Sequence, residues 1–515
     1  MSVKKGKLYE GFISEYRFPD LGMTEAENCP VLVKGTLPGQ KVSFVISRKR
    51  AQGTSKGTLK EVIERSSLED TDPECPYFGN CGGCAYRRLS YKNQLDLKAS
   101  LVKGLLDKVY DSYEFEGIAG SPSAEGYRNK MEFSFGDECK DGPFALGLHK
   151  KGSIFDIVNM RSCLIVPDDM NTVRNAVRDY FNELYTAGKV DFHNTRSHTG
   201  YLRHLLVRRS ETTGEMLVAL VTAPVKDGQS RDGVSSEAYA AGGVVNEGSE
   251  KEMIDGFVKM LQGLKLKGSI SGAFHVRNSA MSDIVKNDGC ELLFGKDYIT
   301  ETVLGLTFKI SLFSFFQTNT RGAEVLYSKA REYATRDGGG TIYDLYCGTG
   351  TISQIMSSSA EKVIGVEIVS EAVEAARENA AFNGINNVDF IADDVMKVIC
   401  GESAALLPAP DMIILDPPRE GIHPKVLGRI LSYGVDRIVY ISCKPTSLAE
   451  ELISFKAAGY KLVKAACVDM FPGTVHVECV ALLSNRNAGK GNYITLDVDL
   501  DDYYRVKNDN NFKKG

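Results

Sequence analysis

A net charge of −5 over 515 residues, with 43% hydrophobic and 25% charged residues, fits a folded multidomain protein and excludes a disordered or fibrous chain. No overall basic excess points to nucleic acid, so any such contact must come from where charge is concentrated. No apolar run reaches membrane-spanning length, and no signal-type apolar region follows Met1-Ser-Val-Lys-Lys-Gly-Lys, so a cytoplasmic protein with no membrane partner is expected.

Residues 1–65 read as a small all-β unit. Short strand patterns cover Glu10 to Ile13, Pro30 to Val33, Val42 to Ser47 and Gly57 to Ile63, with a turn at Leu37-Pro38-Gly39-Gln40. Lys34, Lys41, Arg48, Lys49, Arg50 and Lys56 gather here. They form either a solvated charged face or the phosphate-contacting surface of an OB-like barrel.

Cys75, Cys81 and Cys84 follow as C-x5-C-x2-C, with Gly82 and Gly83 inside the tight pair. Glycine lets sulfurs converge without crowding, so this spacing predicts a metal centre. Cys163 is the expected fourth ligand and Cys139 its competitor. Four thiolates suit zinc or a 4Fe–4S cluster, and spacing does not choose between them. The twelve cysteines are not expected to form a disulfide framework.

Residues 66–304 read as a central α+β unit. Ala85 to Tyr110 is helical by its leucine and valine periodicity. The stretches Tyr127 to Phe135 and Gly200 to Arg209 carry basic and aromatic residues, including Arg203, His204 and Arg208, and are expected to line an RNA face. His204 alone reads as a structural histidine. Residues 226–250 read as a surface loop.

From 305 to 485 strands alternate with helices, which predicts a doubly wound α/β unit with a seven-stranded sheet. Thr341 to Tyr346 enters Cys347-Gly-Thr-Gly350, and Glu367 ends the next strand nineteen residues after Gly348. That spacing sets an acid at a ribose diol. Ser353 stands where a dinucleotide loop needs a third glycine, which favours S-adenosylmethionine over NAD. Asp416, in Asp416-Pro-Pro-Arg419, lies at the carboxyl edge of the sheet. Ile438 to Ile441 is a buried strand that presents Cys443, followed by a helix from Thr446 to Phe455 whose N-terminus favours a thiolate. Cys443 is the candidate nucleophile. The structural alternatives are a packed cysteine, a turn aspartate at Asp416 and an edge-strand carboxylate at Glu478. Residues 486–515 form a polar extension.

Together, Cys443 in Ile-Ser-Cys-Lys-Pro, Asp416 in Asp-Pro-Pro-Arg-Glu-Gly, Glu478 in His-Val-Glu and Gln317 in Phe-Phe-Gln-Thr-Asn resemble the bacterial RNA 5-methyluridine methyltransferases. The resemblance covers nearly the whole chain. It implies a TRAM-like RNA-binding barrel at 1–65 and a 4Fe–4S cluster on Cys75, Cys81, Cys84 and Cys163, as in the 23S rRNA branch. Gln317, Tyr346, Thr351, Glu367 and Asp416 are then expected to contact S-adenosylmethionine, with Cys443 as nucleophile and Glu478 as base. The expected partner is RNA, 23S rRNA rather than the tRNA T-loop, and the expected state is a monomer. Lys444 and Glu450-Glu451 depart from the usual Asn and Arg-Asp. The competing class is an RNA-binding iron–sulfur protein with an inactive methyltransferase unit.

Overall fold

In the computed structural model, residues 3–50, 53–225, 245–335 and 339–485 are described. The extension at 486–515 and most of the 226–250 loop lie outside them. No helix among the described residues is long and apolar enough to cross a membrane.

The first sheet has six strands, in the order Leu8–Phe12, Lys41–Arg48, Ser55–Glu64, Cys29–Lys34, Leu21–Ala26 and Glu15–Arg17. Its core is Val31, Val33, Val42, Phe44 and Ile46, the inward members of period-two alternation. The two short strands from Glu15 to Ala26 were not expected. Their polar alternation leaves little apolar signal. Lys34, Arg48 and Lys49 are exposed, whereas Lys41 lies 3.9 Å from Glu10 and 3.6 Å from Glu64.

A seven-stranded sheet follows, ordered Ile157–Asn159, Phe144–His149, Lys130–Asp137, Leu202–Arg209, Glu215–Thr222, Ser269–Arg277 and Gly289–Gly295. The helices Asp168–Thr186 and Glu247–Gln262 cover one face through Met170, Val173, Val177, Phe181 and Phe257. The other face, through Leu206, Leu217 and Phe274, shares one apolar core with Ile342, Ile414 and Val439 of the C-terminal region.

The expected exposed RNA face on Gly200 to Arg209 is corrected here. Arg203, His204 and Arg208 are each 3% exposed or less. Arg203 donates to the carbonyls of Asn278, Ala280 and Ser282, and Arg208 to those of Ser311 and Ser314. The strand is central in its sheet, so both its faces are covered and its guanidinium groups bond internal carbonyls instead of solvent.

The C-terminal sheet has eight strands: Val388–Ala392, Lys362–Glu367, Thr341–Leu345, Met412–Leu415, Arg437–Ser442, Glu478–Ser484, Lys461–Val468 and Glu114–Ala119. Seven come from the region after residue 341. The eighth, Glu114–Ala119, pairs parallel with Lys461–Val468 from a distant part of the chain. Its Glu-Phe-Glu-Gly pattern carries too little apolar signal to announce it. The first five strands run parallel, and Glu478–Ser484 pairs antiparallel with Arg437–Ser442. This reversal sets the start of one strand beside the end of the other.

Candidate active site

The strand Arg437–Ser442 is apolar because it is buried on both faces, and Ile438, Val439 and Ile441 have no exposure. It ends at Ser442. The helix Pro445–Ala457 starts with proline at its first turn, where a missing N–H costs nothing. Cys443 lies in the two-residue gap, half-buried and unpaired with any other cysteine. Ser442 sits opposite Cys479 across the antiparallel pair. The next residue on each strand is Cys443 and Glu478, so register alone sets the thiol against that carboxylate.

Asp416 follows the buried strand Met412–Leu415, which adjoins Arg437–Ser442. Three carboxylates now share a dry region. Burial pushes Glu478 up to about 8, and Asp416 adds to the rise while Arg419 opposes it. Burial and then the Asp344 carboxylate push Asp416 up to about 7. Burial also raises Asp344 to about 6, against the Ser353 hydroxyl that donates to it at 2.5 Å.

These charges correct one expectation. The Cys443 thiol is pushed above its ordinary value, first by burial, then by Glu478 and Asp416. The following helix does not make it a resting thiolate. Arg419 acts the other way, through its charge and a hydrogen bond to the thiol.

The Gly-rich loop lies beside this cluster. Tyr346 holds φ at +70°, a conformation that non-glycine residues rarely adopt. Gly350 has φ +70°, and a Cβ there would meet the Phe390 ring at 2.5 Å. The backbone N–H groups of Gly348 and Val369 donate to Glu367 at 3.1 and 3.0 Å, which fixes that carboxylate at the loop tip. Thr351 opens the short helix Thr351–Met356 and is 6% exposed. The Gln317 segment is tied from outside by Asn129, whose side chain donates to the Gln317 carbonyl at 3.0 Å.

Two side chains here escaped sequence reading. Tyr327, on the helix Thr320–Ala334, is buried, bonds the Gln317 side chain and faces Asp416 and Glu478. Burial and those carboxylates hold its hydroxyl protonated. It reads in sequence as one of many aromatic core positions. Arg419 is visible in sequence only as the residue that closes Asp416-Pro-Pro-Arg419, yet it is the cation beside both Cys443 and Glu478.

The cysteine motif forms a second site. Cys75, Cys81, Cys84 and Cys163 line one small cavity with Tyr77 and Arg87, and all four are free thiols. Cys139 is exposed and is not part of that lining. The loop is shaped by backbone bonds from Phe78 to Cys75 and from Gly82 to His149. Among the described residues, no three His, Cys, Asp or Glu side chains close on a single ion. The thiols share a cavity rather than one point.

This loop is clasped to the segment that precedes Glu478. Ala85 and Tyr86 donate N–H bonds to the Gly473 carbonyl, and Gly473 N–H donates to Gln94 at 2.8 Å. Lys98 meets Asp469 at 2.7 Å with both side chains at most 1% exposed. The clasped segment leads directly into Glu478.

The sequence model of the tRNA (Uracil-5-)-methyltransferase family matches residues 268–486. An RNA methyltransferase of Clostridium tetani is 41% identical over 488 residues, covering 95% of this chain and 100% of the relative. One of Chlorobaculum tepidum is 33% identical over 498 residues, covering 93% of this chain and 96% of the relative. The crystal structure of Pyrococcus abyssi tRNA (uracil-54, C5)-methyltransferase with S-adenosyl-L-homocysteine superposes with a TM-score of 0.66 at 24% identity, covering 92% of this chain and 100% of that one.

Proposed function

The chain belongs to the class I, S-adenosylmethionine-dependent RNA 5-methyluridine methyltransferases, and on that premise we propose that it methylates carbon 5 of a uridine in 23S rRNA through a covalent cysteine adduct. The observation that carries the covalent reading is the antiparallel register that sets Cys443 against Glu478 beside Asp416.

Carbon 5 of uracil is a weak nucleophile, and covalent catalysis splits the reaction into easier steps. The Arg419 cation offsets the two carboxylates and stabilises the Cys443 thiolate, whose proton is released to solvent. The thiolate adds to carbon 6, and the resulting enolate carries charge at carbon 5. When bound, S-adenosylmethionine supplies the electrophilic methyl that carbon 5 takes. Glu478 then removes the proton from carbon 5, and Cys443 leaves as a thiolate. A carboxyl raised to about 8 is a stronger base than an ordinary one, which suits this last step.

The residues present fit the methyl donor. Glu367, held at the loop tip, accepts from a ribose diol, while Tyr346 and Thr351 stand on the strand-loop-helix turn. Gln317 and Asp416 close the side toward Cys443, with Tyr327 holding Gln317.

In the same reading the chain works as three units, 1–65, 66–304 and 305–485. The first is an RNA-binding barrel. Cys75, Cys81, Cys84 and Cys163 would hold a 4Fe–4S cluster, a reading supported by four thiols on one cavity. Such a cluster supplies a cross-link between the cysteine loop and Cys163. The preference for rRNA over tRNA rests on the resemblance of the cysteine set and the barrel to the 23S rRNA branch.

The two catalytic variants must fail differently. Cys443→Ala is expected to bind RNA and form no adduct. Glu478→Gln is expected to methylate and then stall, leaving a labelled RNA–protein adduct on a denaturing gel. Near-normal turnover by folded Cys443→Ala ends the nucleophile assignment.

A further inference from the structure

Four of the seven histidines, His149, His193, His198 and His204, gather around a pocket on the seven-stranded sheet, none of whose lining residues belongs to the candidate active site. Asp283 is the hub. One of its oxygens lies 2.6 Å from His149 Nε2 and the other 3.4 Å from His204 Nε2. Asp283 is presented by a loop that buried Arg203 grips through the carbonyls of Asn278, Ala280 and Ser282. This explains why a guanidinium is buried in a central strand, and it makes the pocket wall a built structure rather than a loose loop.

The rim is aromatic. The Arg196 guanidinium lies 4.0 Å above the Phe155 ring, and Phe155 is 37% exposed beside Ile154 at 72%. Inside, the Nδ1 of His149 is buried with no hydrogen-bond partner. Burial lowers His193 and His204 to about 4, so both rings are neutral at neutral pH and offer one donor and one acceptor each. Lys140, Arg196 and Arg203 face Asp137, Asp141, Asp156 and Asp283 along the walls, so carboxylates outnumber cations by one and the pocket does not draw a bare phosphate. It suits a neutral, flat, hydrogen-bonding ring.

Two placements point to RNA. Lys150 and Lys151 are exposed on the turn beside the pocket, and Lys151 lies against Gly35 of the first sheet, next to exposed Lys34. The strand Lys130–Asp137 joins the two sites: Asn129 at its start holds the Gln317 carbonyl, and Gly136 near its end lines the pocket. Seven residues of strand span about 23 Å. That is a distance over which one folded RNA loop can reach both places.

We propose that this pocket takes one unstacked base of the substrate RNA, stacked at the Phe155–Arg196 rim with its edge toward His149, Asp283 and Asn194. The proposal rests on the RNA-methylating reading for the nature of the ligand and not for the chemistry at Cys443. A flipped target base leaves its neighbours without a stacking partner, and a second base pocket offsets part of that loss.

The test uses the full chain with isotope-labelled histidine and a five-adenosine oligoribonucleotide, which contains no uridine. Saturable shifts of the His149 and His193 ring signals are expected. They should persist in Cys443→Ala and disappear in Phe155→Ala and Arg196→Ala, two rim substitutions that leave the core intact. With substrate RNA, each rim variant should raise KM about five-fold or more and keep kcat, as loss of one stacked base implies. Because the oligonucleotide carries no uracil, the titration stands even if the uracil chemistry fails. Unmoved His149 and His193 signals overturn the proposal. So do shifts that survive in both rim variants, or shifts produced by zinc and not by the oligonucleotide.

Discussion

A thiol and two carboxylates crowd one edge of the sheet, and their mutual repulsion in a dry site sets the pH behaviour of the molecule. Cys443, Asp416 and Glu478 all titrate above their ordinary ranges. In the proposed reaction Glu478 must be deprotonated for the last step of each turnover, so kcat is expected to climb as pH rises through about 8. A profile flat from about 6 to 9 would remove Glu478 as the base. Stability runs the opposite way. Glu478 titrates higher folded than unfolded, so the stability of its neutral form is full at acid pH and is lost as pH rises through about 8. Glu478→Gln is therefore expected to melt higher than the parent above pH 8, by on the order of a few degrees, and to match it near pH 4. At the other end of the cofactor groove, Glu367→Ala removes an acceptor already aligned by Gly348 and Val369. Binding of S-adenosylmethionine should weaken about ten-fold or more by calorimetry. Unchanged affinity sinks the ribose assignment.

Among the elements, the clasp between the helix Tyr91–Leu106 and the 469–477 segment is the most informative. Lys98 and Asp469 are both buried, so removing one partner leaves an uncompensated charge. Lys98→Met should cost about 3–5 kcal/mol in denaturant unfolding, and the double change with Asp469→Leu should recover most of it. Equal losses in single and double variants would show that packing, not charge, holds the clasp. The cysteine loop belongs to the same unit. Anaerobically purified protein is expected to be brown, with about four irons per chain. Cys163→Ala should lose the iron and Cys139→Ala keep it. Colourless protein with one zinc refutes the cluster, and the reverse cysteine pattern changes the fourth ligand. Local pattern made the strand before Cys443, the Gly-rich loop and the C-x5-C-x2-C spacing legible in the sequence, because each is set by neighbours a few residues apart. It did not show the strand Glu114–Ala119, the Lys98–Asp469 pair or the burial of Arg203 and Arg208. Those depend on segments that meet only in the folded chain.

At the scale of the whole molecule, one shared core joins the central sheet to the catalytic sheet through Leu206, Phe274, Ile342 and Val439. The Cys443 edge and the histidine pocket belong to sheets that this core holds together, so an RNA that engaged both as proposed would have to match their separation. The charge map agrees, because exposed Lys34, Arg48, Lys49, Lys150 and Lys151 lie on the first sheet and the adjoining turn in a chain that is acidic overall. Binding should accordingly weaken steeply with salt, and a salt-independent affinity would contradict an electrostatic approach. The central claim is the chemistry, and nucleoside mass spectrometry tests it most directly. Ribosomal and transfer RNA lacking 5-methyluridine are incubated separately with the protein and methyl-labelled S-adenosylmethionine, then digested and analysed. The account predicts labelled 5-methyluridine from 23S rRNA with the parent protein and none with Cys443→Ala. Label in tRNA alone would move the substrate, and label on another base, or turnover without Cys443, would contradict the account.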